Sequence, residues 1–275
     1  MPSSRTEIVS ENQLLPFLKW AGGKRWLAKS LLEEITPLTG RYHEAFLGGG
    51  ALFFALEPES AFLSDTNAEL INAYAAVRDN PYQIAKLLQQ HQNKHSKEYY
   101  YKIREYKPTS PIRQAARFIY LNRTCWNGLY RVNQKGIFNV PIGTKNNVVL
   151  ESDDWEKTSK LLSIATLKCQ DFEQTIDETE EGDFVFADPP YTVKHNNNGF
   201  VKYNQTLFSW QDQIRLRNAL LRAKRRGVSI IATNANHESI HQLYSKHFEV
   251  KSITRASIIG GGSEFRGVYE ELIIR

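Results

Sequence analysis

Tyr42-His43-Glu44-Ala45-Phe46-Leu47-Gly48-Gly49-Gly50-Ala51-Leu52-Phe53-Phe54-Ala55-Leu56, followed by Ala61-Phe62-Leu63-Ser64-Asp65, is the stretch that decides the fold. A short apolar run breaks into glycines, reopens as a helix start, and is succeeded by a second apolar run that ends on an aspartate. That is strand, tight turn, helix and strand, the half-unit from which parallel sheets are built. Upstream, Leu27, Leu31 and Ile35 recur at i, i+4 and i+8 after Gly22-Gly23-Lys24, one apolar stripe that Pro37 ends. Downstream, Asn67 can cap a helix running through Val77. Residues 81–123 are helical in three pieces, broken near His95 and at Pro108 and Pro111. Residues 126–141 alternate as a β-ribbon, with strands Gly128 to Val132 and Ile137 to Val140 around a turn at 133–136. A helix near 152–165 precedes strand candidates at 165–169, 184–187 and 228–232, separated by helices that include a basic one at 210–226. The C-terminal strands, 248–259 and 268–274, suit an antiparallel edge joined by a glycine turn. The alternation predicts an α/β chain with a doubly wound, mostly parallel, Rossmann-like sheet. Its expected parts are a mobile N-terminal arm at 1–15, a sheet domain made of 16–77 and 151–275, and an inserted helical and ribbon domain at 78–150.

The 275 residues allow a core of enzyme size and exclude a peptide or a disulfide mini-scaffold. Cys125 and Cys169 have no metal-ligand spacing, so neither a disulfide framework nor a structural metal is expected. No apolar run approaches membrane length and the N-terminus lacks a signal-like segment; the expectation is a soluble, cytoplasmic monomer. The formal charge is +5, and its distribution is more telling than its size. Between Tyr106 and Leu150 stand Lys107, Arg113, Arg117, Arg123, Arg131, Lys135 and Lys145 without one acid. Such a run is either a solvated basic face or a surface that neutralises phosphates.

Chemistry concentrates at Asp188-Pro189-Pro190-Tyr191, directly after the apolar strand Phe184 to Ala187. An exocyclic amine of adenine or cytosine is a poor nucleophile because its lone pair is delocalised into the ring. Groups that accept its hydrogens localise that lone pair. Asp188 can accept one hydrogen and the Pro189 carbonyl the other. The prolines fix φ and hold that carbonyl in place, and Tyr191 offers a ring on which an unstacked base can lie. The glycine turn lets the backbone approach a ligand closely, and Asp65, at the end of the next strand, suits ribose hydroxyls. The run departs from GxGxxG, so a nucleoside-containing ligand is expected rather than a dinucleotide. Phe17 to Lys24 (FLKWAGGK) lacks the GxxxxGK[ST] spacing of a triphosphate loop.

Taken together, FLKWAGGK, EAFLGGG, SDTNAEL, LNRTCWNGLYRVNQKGIFNVPIG and DFVFADPPY resemble, in the same order, the Dam-type DNA adenine-N6 methyltransferases. The resemblance is clear in these five blocks, over about residues 16 to 191, and continues beyond them mainly in fold pattern. It implies a Rossmann-like methyltransferase fold, S-adenosylmethionine as cofactor, no metal, and duplex DNA as partner, commonly at GATC. It places Trp20, Lys24, Asp65 and Asp188 against the cofactor, with Phe46, Gly48 and Gly50 of the glycine block and with Asp171 and Phe172 beside its adenine. It places Lys19, Trp126, Asn127, Leu129, Arg131 and Pro141 against DNA, to which the basic run adds Arg117, Lys135 and Lys145. Trp126 stands where the family often has tyrosine. The loop Thr192 to Phe200 departs from the family, and His195 within it is not required as a base, since the proton can leave after methyl transfer. N4-cytosine methylation, an RNA substrate and a catalytically silent DNA-binding regulator are the alternatives.

Overall fold

The computed structural model describes residues 13–35, 37–133, 136–192, 208–256 and 268–275. The expectations for the N-terminal arm, Lys135, the loop with His195 and the C-terminal glycine turn fall wholly or mostly outside these residues. The chain forms two compact units, 1–36 with 48–57 and 67–164, and 37–47 with 58–66 and 165–275. These boundaries differ from residues 78 and 150 because the helices after the first two strands cluster with the later helices.

The second unit is the sheet. Its strands are β1 (Tyr42–Glu44), β2 (Ala61–Asp65), β3 (Ala165–Cys169), β4 (Phe184–Ala187), β5 (Ser229–Ala235), β6 (Val250–Ala256) and β7 (Val268–Ile274). They lie in the order β3-β2-β1-β4-β5-β7-β6. The first five are parallel, and β7 runs antiparallel to both β5 and β6. β1 and β4 are buried at every position, as strands covered on both faces must be. Strand order reverses between β1 and β4, so a crevice opens at their carboxyl ends, where ligands of open α/β sheets bind. α8 (Phe172–Asp177), α9 (Trp210–Arg225) and α10 (Glu238–Tyr244) belong to this unit. Ser209 and Asp212 close a capping box at the start of α9. The core between helices and sheet includes Phe172, Val185, Leu216, Leu220, Tyr244 and Leu272.

The first unit is helical: α1 (Arg25–Glu34), α2 (Ala51–Leu56), α3 (Ala68–Asp79), α4 (Pro81–Lys94), α5 (Lys97–Glu105), α6 (Pro111–Thr124) and α7 (Trp155–Leu162). Leu27 and Leu31 are buried, as the stripe in α1 requires. Asn67 caps α3 by accepting from Glu69 and Leu70 N–H groups at 3.1 and 3.2 Å. Pro81 and Pro111 open α4 and α6, where a missing N–H costs nothing.

The ribbon expectation needs correction. Trp126–Gly128 is a 3₁₀ turn, with Asn127 at φ +54° and Gly128 at φ +64°. Around it, among the described residues, the hairpin shows isolated antiparallel bridges rather than strands, Val132 to Phe138 and Cys125 to Ile142. Two short strands without a third neighbour gain little from pairing, so a hairpin like this is marginal as a ladder.

Candidate active site and nucleic-acid interface

β4 carries the chain to the switch point and the two prolines stop it there, since neither can donate to a sheet ladder. Asp188 is half-buried, one residue past the Ala187–Ala232 pair. The next residue of β5, Thr233, is fully buried, and its hydroxyl donates to Asp188 Oδ1 at 2.5 Å. Tyr191 OH donates to Glu271 Oε2 at 2.9 Å, which ties the ring to β7. Thr192 Oγ1 accepts from Gln213 at 3.3 Å, and Gln213 accepts from Asn234 at 3.0 Å. Thr233, Asn234 and Gln213 were not among the sequence-derived candidates. A signal existed: Thr-Asn at the carboxyl end of an otherwise apolar parallel strand is a polar pair where core residues are expected.

In the same unit, Phe46 follows β1 and is half-buried, and Asp65 closes β2. Phe46 stacks on Phe172 with centroids 5.2 Å apart and an interplanar angle of 22°. Phe172 itself is only 4% exposed, enclosed by Phe46, by Phe208 at 5.5 Å and by the Arg215 guanidinium at 4.8 Å. Its ring therefore backs Phe46, and Phe46 is the more accessible aromatic surface. Asp171 caps α8 through the Glu173 N–H at 2.9 Å and pairs with Arg215 at 2.7 Å. Burial lowers the Arg215 pKa, and its bonds to Asp212, Glu173 and Asp171 more than reverse this, so it stays charged.

In the helical unit, Gly48 and Gly50 adopt left-handed φ of +46° and +63°. A Cβ on Gly48 would lie 2.7 Å from Trp20 Cδ1, so the indole packs directly on the turn. The Trp20 indole also stacks on Tyr130, at 5.7 Å and 17°. Lys24 is 3% exposed and donates to the Gly22 carbonyl at 2.9 Å.

Lys19 is fixed through its backbone. Its N–H donates to Asn122 Oδ1 at 2.9 Å, and its carbonyl accepts from Asn122 Nδ2 at 2.7 Å. Partial burial, then the charges of Lys145 and Arg123, lower the pKa of its ammonium. Lys19 also meets the 3₁₀ turn at Trp126–Gly128, where a Cβ on Gly128 would stand 2.7 Å from Lys19 Cβ. Trp126 is 50% exposed, unusual for an indole, while its backbone N–H donates to the Pro141 carbonyl at 2.9 Å. Asn127, Pro141 and Lys145 are exposed, and Leu129 is half-buried. Arg131 Nε donates to Asn139 at 2.9 Å, which sets the plane of its guanidinium.

Two members of the basic run have partners within the protein. Arg117 donates from Nε and Nη2 to the carbonyls of Ile103 and Arg104, at 2.9 and 2.6 Å. These bonds close the C-terminus of α5. Arg123 is 1% exposed and forks onto Asp153 with both bonds at 2.6 Å. It is a buried charge with a buried partner.

A five-stranded parallel core extended by an antiparallel β7, with β4 and Asp188 at the switch point, is the arrangement of a Rossmann-like methyltransferase fold. Residues 20–258 match the model of the D12 class N6 adenine-specific DNA methyltransferase family, and the chain belongs to that family. It is 38% identical over 270 residues to the type II methyltransferase M1.LlaDCHI of Lactococcus lactis subsp. cremoris, covering 95% of each chain. It is 33% identical over 288 residues to the type II methyltransferase M.MjaIII of Methanocaldococcus jannaschii, covering 95% of this chain and 99% of that one. With a DNA adenine methylase of Serratia marcescens it shares 33% identity over 201 residues, 72% and 74% of the two chains. Among the described residues, no helix is long and apolar enough to cross a membrane.

Proposed function

We propose that this family member methylates N6 of an adenine flipped out of duplex DNA, within GATC, using S-adenosylmethionine. The observation that carries the reading is Asp188 at the carboxyl end of β4, held beside the switch point by Thr233. The cofactor implied by the family fits the groups at this edge of the sheet. Asp65 closing β2 suits ribose hydroxyls, Phe46 after β1 offers a face for an adenine, and Asp188 follows β4. Gly48 and Gly50 keep the turn free of side chains, and Asp171 with Phe172 supports Phe46 from behind. Trp20 and Lys24 are assigned to the amino-acid end. When bound, the cofactor supplies an electrophilic sulfonium methyl.

The protein's own part is alignment and electrostatics. Asp188 accepts one hydrogen of the amine and the Pro189 carbonyl the other, with Pro190 stiffening the turn and Tyr191 stacking on the base. Solvent takes the proton after transfer, so neither a general base nor a metal is needed. Lys19, Trp126, Asn127, Leu129, Arg131 and Pro141 meet the DNA at and around its bases, while Lys135 and Lys145 meet phosphates. Trp126, exposed on its tight turn, is the wedge that fills the gap beside the flipped base. An arginine whose Nε is already engaged can offer its two Nη groups to guanine O6 and N7, which favours Arg131 as the reader. The relatives named type II methyltransferases, matched over 95% of this chain, favour a modification enzyme; action on cytoplasmic DNA as a monomer is part of the proposal.

Expression in a host free of DNA methylation, followed by single-molecule sequencing of modified bases, tests the reading. N6-methyladenine confined to GATC is expected with the intact chain and absent with Asp188→Ala. Methylcytosine, another site or an active Asp188→Ala would refute it.

A further inference from the structure

We infer that Thr233 is a positioning residue for methyl transfer, with its hydroxyl setting the rotation and basicity of the Asp188 carboxylate. The inference rests on the reading that Asp188 accepts a hydrogen from the target amine. β4 and β5 are parallel and in register at Ala187 and Ala232, so the next residues, Asp188 and Thr233, stand side by side. Thr233 is fully buried and its Oγ1 lies 2.5 Å from Asp188 Oδ1. A buried parallel strand favours valine or isoleucine, and valine has the same shape without the hydroxyl. The hydroxyl is therefore explained by its acceptor rather than by packing. Threonine is also stiff at χ1, so the donor holds a fixed direction, whereas an aspartate turns about two bonds.

The next residue of β5 secures the other end of the same segment. Asn234 is 1% exposed and accepts the Ala235 N–H at 2.9 Å. It donates to Gln213 at 3.0 Å, and Gln213, also fully buried, donates to Thr192 Oγ1 at 3.3 Å. Between Asp188 and Thr192 stand Pro189 and Pro190, which cannot bind the sheet through N–H groups. Thr233 and Asn234 supply by side chain what the ladder cannot supply there. A hydroxyl that donates to a carboxylate stabilises its ionised form and lowers its pKa.

The test is single-turnover methylation of a cognate duplex across pH, with Thr233→Val, Thr233→Ser and Asp188→Asn beside the unaltered protein. Thr233→Val is expected to slow transfer by roughly ten-fold or more with DNA affinity within about two-fold, and to move the acid limb of the rate up by about one pH unit. Thr233→Ser is expected to restore both. A purely structural threonine would lower the active fraction and leave the acid limb in place. Should the valine variant not fold, Thr233→Ala compared with Thr233→Ser asks the same question. An unmoved acid limb and an unchanged rate in Thr233→Val, with Asp188→Asn inert, would overturn the inference alone. An active Asp188→Asn would overturn the reading of Asp188, and the inference with it.

Discussion

Asp153→Ala should be among the most damaging single changes in the helical unit, although Asp153 lies far along the chain from its partner. The Arg123 guanidinium is inaccessible to solvent, and the Asp153 side chain is 5% exposed. Nη1 and Nη2 bind the two carboxylate oxygens at 2.6 Å, Nε and Nη2 bind the Phe17 carbonyl at 3.1 and 2.9 Å, and Nη1 binds the Val148 carbonyl at 2.7 Å. Asp153 also accepts the Leu150 N–H at 2.9 Å. Removing the carboxylate leaves a cation in the interior with the carbonyl dipoles and the Trp155 ring, 5.3 Å from the guanidinium, but no counter-charge, a loss of about 3–5 kcal/mol. For a chain of this size that corresponds to a melting point lower by roughly 6–10 °C. Arg123→Met with Asp153→Leu should recover part of the loss, because neither charge is then stranded, while the carbonyls of Phe17 and Val148 still lack a donor. Differential scanning calorimetry reads the stability, and the salt dependence of DNA affinity reads whether Arg123 meets phosphate. The expected result is a large stability loss in Asp153→Ala and, in Arg123→Lys, a salt slope unchanged from the unaltered protein. A loss below about 1 kcal/mol in Asp153→Ala, or a slope flattened by about one unit in Arg123→Lys, would refute the argument.

Asp65→Ala should weaken cofactor binding by about 1.5–3 kcal/mol in calorimetry, the range for a hydrogen bond to a charged group; an unchanged dissociation constant removes Asp65 from the site. Arg131→Ala should cost about 1–3 kcal/mol of discrimination at one base pair, measured on singly substituted GATC duplexes, whereas Lys145→Ala should weaken all of them alike. His91 stacks on Tyr120 at 4.7 Å, and burial followed by the Lys94 charge lowers its pKa to about 4. The unfolded chain takes up this proton near pH 6.5, so stability should fall as pH drops from about 6.5 to 4. NMR titration of the imidazole checks the value, and His91→Phe should blunt that acid sensitivity. Burial raises the Cys125 thiol to about 11, so iodoacetamide near neutral pH should label exposed Cys169 and reach Cys125 only in denaturant, read by peptide mass.

The sequence was most legible where local pattern and burial agree. The apolar runs at 165–169 and 184–187 became β3 and β4 with those bounds, and the prolines at 81 and 111 and the cap at Asn67 opened the helices expected of them. β1 ends at Glu44, short of Phe46, although the chain still touches its two neighbouring strands beyond it, with the Ala45 N–H on the Phe186 carbonyl of β4 at 3.2 Å and the Leu47 N–H on the Ser64 carbonyl of β2 at 2.9 Å. The ribbon misled. Alternation of Tyr130, Val132, Phe138 and Val140 reads as paired strands, but it marks only which side chains face inward. Phe138 and Val140 are buried, yet the left-handed backbone at Asn127 and Gly128 prevents a ladder from starting there.

Charge was the least legible property, since a sequence shows the sign of a side chain and not its partner. Arg123 and Asp153 are separated by 30 positions, and Thr233 and Asp188 by 45. In an acid-free run every arginine looks available to phosphate. Folding divides them by depth. Arg117 and Arg123 turn inward, to a helix end and a buried carboxylate, and Arg131 is directed by a single asparagine. A basic stretch of this kind thus does two jobs that salt can separate. Buried pairs are screened little and govern unfolding, whereas charges on the surface set the slope of DNA affinity against salt. Measured across the run, each arginine and lysine should therefore fall into one class or the other, and the buried class should hold Arg117 and Arg123.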